Sequence, residues 1–175
     1  MTRWQPAKAD TLAAIVTEIL HNYGTGRAIV AVDAADGALS ANFATDLAEA
    51  FAARPHAVER ATFAPANSDG TPRRPSSDDA ALFGETVVAP FRRASTSPAV
   101  LVVDGSFVLD PAVRAKWNFA IWLDGPASST DGHDGSGPAE ALASYLVEAR
   151  PRASAVAIVD VSDPDHPRRV FADTC

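Results

Sequence analysis

Four aspartates each close an apolar run in this chain. The runs are AIVAVD ending at Asp33, AVLVVD at Asp104, AIWLD at Asp124 and AVAIVD at Asp160. Short apolar runs bounded by turn-formers read as buried parallel strands, and the ends of such strands line one crevice where ligands bind. Carboxylates there can hold a hard divalent cation through oxygen, or they can cap loop amides. Capping is the reading for Asp124 and Asp160. For Asp33 and Asp104 capping and a role toward a metal-bound water both stand. No cation is evident where these runs end, so the crevice is expected to be acidic and uncompensated.

The elements that position these groups can be read from periodicity. Ala28 to Val32 is a strand, Asp33 to Gly37 a turn, and from Ser40 the spacing of Phe43, Leu47 and Phe51 marks one face of a helix. Strand, tight turn and helix N-terminus is the frame of a phosphate-binding P-loop. That loop requires G-x-x-x-x-G-K-[ST], whose amides close on phosphates and whose lysine meets their charge. The register here is Ala34, Ala35, Asp36, Gly37, Ala38, Leu39, Ser40, Ala41. Both motif glycines, the lysine and the metal-binding hydroxyl are replaced.

The segment AVDAADGALSANFATDLAEAF resembles the first βα unit of the uridine kinase-like P-loop kinases, which read VDGxxGxGKTTFAxxLAxxL. VLVVDGSFVLDPAVRAKWNFAIWLDGP is similar to that family's Walker B-like strand and the strand after it. YLVEARPRASAVAIVDVSDPDHPR resembles its last helix and strand. The resemblance implies a three-layer α/β domain over residues 1–175, with helices on both faces of a parallel sheet of about five strands in the order 2-3-1-4-5. It also implies a degenerate Walker A motif. The family's catalytic aspartate follows the second strand, and Ala64-Pro65-Ala66 stand there. Its lid arginines fall in 125–137, a Gly- and Ser-rich stretch expected to be a flexible loop. An inherited Mg²⁺ contact would fall to Asp33 and Asp104, and Val161 replaces the asparagine expected near adenine.

Phosphoryl transfer is almost all positioning and electrostatics, and losing one preorganised group costs on the order of 3 kcal/mol. Lysine, hydroxyl, base and lid arginines are all missing, so the expectation is a pseudokinase with no catalytic residue, acting through a ligand or a protein partner, a homo-oligomer included. The alternatives are an active nucleoside or small-molecule kinase with a rebuilt phosphate site, which alone would need ATP and Mg²⁺, and a structural subunit beside an intact paralogue. No cofactor is otherwise expected.

The rest of the chain fits an α/β domain. Leu12, Ile15, Val16, Ile19, Leu20 and Tyr23 mark a helix from near Asp10, ended by Gly24-Thr25-Gly26. The second strand runs from His56 to Phe63, and Asp69 lies in a turn. Ser76 and Asp79 form a capping box for a helix to Phe91 that buries Leu82, Phe83, Val87 and Phe91. Arg92-Arg93 suit its C-terminus. Asp110-Pro111 opens a short helix to Trp117. A last helix from Pro138 places Leu142, Tyr145, Leu146 and Ala149 on one face and stops at Pro151. Asp131, His133 and Asp134 lack the ligand spacing of a metal site. A net charge of −7 and a pI near 4.9 argue against nucleic acid, and a single terminal cysteine suits a reducing cytoplasm. No apolar run is long enough to span a membrane.

Overall fold

The computed structural model describes residues 6–94, 98–125 and 138–171. Chain order is α1 (Lys8–Tyr23), β1 (Arg27–Ala34), α2 (Gly37–Ala52), β2 (Ala57–Phe63), α3 (Ser77–Phe83), a π-helical segment (Gly84–Val88), α4 (Ala89–Arg93), β3 (Ala99–Gly105), β4 (Phe119–Asp124), α5 (Pro138–Glu148), α6 (Pro151–Ser154), β5 (Ala157–Asp160) and β6 (Arg168–Val170). The sheet order is β2-β3-β1-β4-β5-β6. The first five strands are parallel, in the expected order and with β2 at the edge. The sixth, antiparallel to β5, was not foreseen, because Arg168 to Val170 carries no apolar alternation of its own.

Alternation along the strands builds two cores. Val30, Val32, Val100 and Val102 face α1 and α2. Ile29, Ala31, Leu101 and Val103 face α3, α4 and α5. β1 and β3 are buried almost throughout, on both faces of the sheet, which is why their sequences are continuous apolar runs.

Ser76 caps α3, with its capping box to Asp79 present. The helix then departs from the expected spacing. Its buried face steps from Phe83 to Val88, five residues rather than four, across the π-helical segment. Pro90 follows one turn later; it donates no amide hydrogen, and its ring would crowd the Thr86 carbonyl of a regular helix. The wider turn relieves this, leaving Leu82 63% exposed and Val87 half-buried instead of packed. Leu146 is likewise exposed on α5, one step round from the buried pair Tyr145 and Ala149. Asp110 caps its turn through Ala112, but only one 3-10 turn, Arg114–Lys116, forms there. Arg93 donates to the Ala89 carbonyl and Arg92 to the Lys116 carbonyl, as cations at a helix C-terminus should. Asp69 accepts the Thr71 amide and hydroxyl in its turn. The expected loop over 125–137 lies, apart from Gly125, outside the described residues. No described helix is long and apolar enough to cross a membrane.

Candidate functional site at the strand ends

Only Ala35 and Asp36 separate β1 from α2. The turn is therefore tighter than a phosphate-binding loop, and Gly37 to Ala41 form the first helical turn. Neither Ala34 nor Leu39 takes a positive φ, so the steric cost of a non-glycine residue in such a loop does not arise. Asp36 is the N-cap, and its carboxylate accepts the Ala38 amide at 2.8 Å. A negative side chain thus sits at the helix end where an anion would bind. The Ser40 hydroxyl is buried and turns back to the Gly37 carbonyl at 2.9 Å. Leu39 lies over Gly125, so closely that a Cβ at Gly125 would meet its Cδ2 at 2.7 Å.

The four aspartates do end neighbouring strands, yet they do not share one cluster. Strand alternation sends Asp104 to the α2 side and Asp33 to the α5 side. Asp104 is buried and paired: Oδ1 receives Arg60 Nη2 at 2.7 Å and Oδ2 the Thr62 hydroxyl at 3.2 Å. The Arg60 guanidinium continues onto α2, to Thr45 Oγ1 at 2.7 Å and the Ala41 carbonyl at 3.4 Å. Asp124 receives Arg152 at 2.9 Å and the Trp122 indole at 2.8 Å. Asp160 receives the Ser162 amide and both Nε and Nη2 of Arg168, which hold its carboxyl below the usual range. An uncompensated acidic edge is thus corrected: arginines from β2, α6 and β6 reach three of the four groups.

Asp33 differs, because no cation reaches it among the described residues. It is fully buried. Oδ1 accepts the Ala34 amide at 2.9 Å; Oδ2 accepts the Leu109 amide at 3.0 Å and the Tyr145 hydroxyl from α5. Burial pushes its carboxyl up to about 7, against the pull of those three donors. Burial, with the Asp33 charge beside it, pushes the Tyr145 phenol above its ordinary range.

The segment after β3 builds this lock. Gly105 has φ 151°, and a Cβ there would lie 1.9 Å from the Phe63 carbonyl oxygen, so only glycine fits. Phe107 follows at φ 64°, which folds the chain back over the strand ends and buries Phe107, Val108 and Leu109. The Phe107 ring meets Tyr145 edge-on, centroids 5.0 Å apart. Arg74 fastens the outside, bonding Asp110 Oδ2 at 2.9 Å, Ser144 at 3.0 Å and Glu148.

A divalent ion does not suit this donor set. Both oxygens of Asp104 are engaged by Arg60 and Thr62, Asp33 opens onto the other face, and Ala41 offers no hydroxyl. Among the described residues no cluster of three or more His, Cys, Asp or Glu side chains could hold a metal. A groove of about 390 Å³ does remain on the α2 side. Leu39, Phe43, Val161 and Pro167 make its apolar wall, and Asn42 and Asp46 its rim.

A solved structure of a possible uridine kinase from Bacillus stearothermophilus shares this architecture, with a TM-score of 0.63 over 85% of this chain and 97% of that one. The fold is P-loop kinase-like. Sequence identity across the match is 12%, so the likeness concerns the fold alone. No family model matches the chain, and no curated protein does.

In this P-loop kinase-like fold the segment Ala34 to Ala41, whose register the sequence suggested as a phosphate loop, meets Arg60 and Asp104 at the start of α2, while Asp33 is walled off beneath Leu109. Sequence reasoning missed Arg60, Arg74 and Tyr145. The available signal for Arg60 was its place in a strand: a charged residue two before Thr62 on an edge strand shares Thr62's face.

Proposed function

We propose that this chain is a uridine kinase-like P-loop protein with a degenerate Walker A motif, a pseudokinase that acts by binding a ligand or a protein partner. The observation that carries this reading is Arg60, whose guanidinium lies between Asp104 and the Ala41 carbonyl. The resemblance assigns a metal ion to that neighbourhood, and here a side chain supplies the positive charge. The Asp36 carboxylate on the α2 amides supports the same reading, since it repels the phosphate those amides would otherwise attract. Ala64 to Ala66 bring no carboxylate to the position of the base. The groove beside Leu39 and Phe43 supports small-ligand binding: it falls in the size range of ligand pockets and combines apolar walls with a few polar groups.

Isothermal calorimetry with millimolar ATP·Mg²⁺ tests the proposal. The expected result is no measurable binding and no phosphorylation of nucleosides. A dissociation constant near 10 μM, about −7 kcal/mol, overturns it.

A further inference from the structure

On the face of the sheet that carries α3 and α4, these helices and the π-helical segment form one side of a surface groove of about 520 Å³; the 3-10 turn before β4 forms the other. Its floor is made of small or apolar groups, chiefly Gly84, Val88 and Ala89. Its rim is Arg92, Arg93 and Lys116. Gly84 makes room for the lysine: a Cβ there would lie 2.9 Å from Lys116 Nζ. The ammonium is therefore seated against the widened helical turn, where only a hydrogen projects.

The charge here runs against the rest of the molecule. The chain carries −7 overall, and its other cations are mostly neutralised in place, as in Arg27–Glu59, Arg73–Asp79, Arg152–Asp124, Arg168–Asp160 and Arg169–Glu18. Among the described residues no carboxylate lies within ion-pair reach of Arg92, Arg93 or Lys116. Glu85 is the one acid in the lining, and it makes no ion pair with them. Arg92 and Arg93 are exposed, Lys116 is half-buried, and the two guanidinium groups are anchored on separate carbonyls, those of Lys116 and Ala89. With Arg92 and Arg93 held on carbonyls of different elements, the rim does not present its cations as one clamp for a single phosphate. They match carboxylates distributed along a chain.

We propose that this groove docks an acidic segment of a partner protein, its carboxylates on Arg92, Arg93 and Lys116 and its backbone over Gly84 and Val88. The proposal rests on the reading of the chain as a binding protein and names the surface and the chemistry of the partner.

The test is fluorescence anisotropy with a labelled oligoglutamate peptide, at low and at physiological salt. Wild type is expected to bind, with affinity falling as salt screens the charges. The double variant Arg93→Glu/Lys116→Glu should bind at least about tenfold more weakly. Arg54→Glu, which makes the same kind of charge change on the α1 side, should bind as wild type. Melting by circular dichroism checks the fold; should the double variant unfold, Arg93→Glu alone carries the test, since its side chain is exposed and holds only a carbonyl. Absence of binding by wild type at low salt overturns the proposal, as does an equal loss in Arg54→Glu. So does sedimentation showing a dimer that the double variant dissolves, because the groove would then belong to a second copy. Binding of ATP would overturn the pseudokinase reading and leave the peptide result unchanged.

Discussion

Asp33 should make stability fall as pH rises through neutrality. Its carboxyl ordinarily titrates near 3.8 and in the folded chain near about 7, so the native state holds a proton that the unfolded state has released. The stabilisation from this proton is fully present below pH 3.8 and is lost as pH passes through about 7. At about 1.4 kcal/mol per pH unit between those values, the group is worth at most about 4 kcal/mol, of which about 3 kcal/mol disappears between pH 5 and pH 8. The carboxylates held below their usual range, Asp79 and Asp160 among them, work in the opposite direction, but their windows lie below about pH 4. Urea unfolding at intervals from pH 5 to pH 8 measures the slope. Asp33→Asn should flatten it, because the amide cannot ionise. Tyr145→Phe should steepen the fall, costing about 1–3 kcal/mol more above pH 7 than below pH 5, since it removes a donor from the ionised carboxylate. Parallel slopes in wild type and Asp33→Asn would refute the argument and mean that Asp33 is ionised throughout.

Arg60→Ala should destabilise the fold by about 1–3 kcal/mol, less than a wholly buried pair because the guanidinium is partly solvated, and Asp104→Asn in that background should recover part of the loss; a double-mutant cycle in urea reads both. Gly105→Ala should leave little soluble protein at 25 °C, because its Cβ would overlap the Phe63 carbonyl at a backbone angle that alanine avoids; a normal melting curve for that variant would contradict the turn geometry.

The strand ends show where sequence stops being enough. The apolar runs at 28–32, 99–103 and 119–123 were legible because burial on both faces of a parallel strand leaves a continuous signature in neighbouring residues. The Ser76–Asp79 capping box was legible for the same reason, its partners being three residues apart. The start of α2 at Gly37 was not, since a two-residue turn and a loop differ only in backbone angles that Ala, Asp and Gly all tolerate. Nor was the fate of the four aspartates. Asp104 meets Arg60 across 44 residues and Asp33 meets Tyr145 across 112. Such partners are chosen by sheet register and by the face toward which each side chain alternates. Pattern within a window determined which segments are strands and helices; only the packed sheet decided that one aspartate would face an arginine and another a buried phenol, because a side chain's charge environment depends on distances in space that local periodicity does not encode.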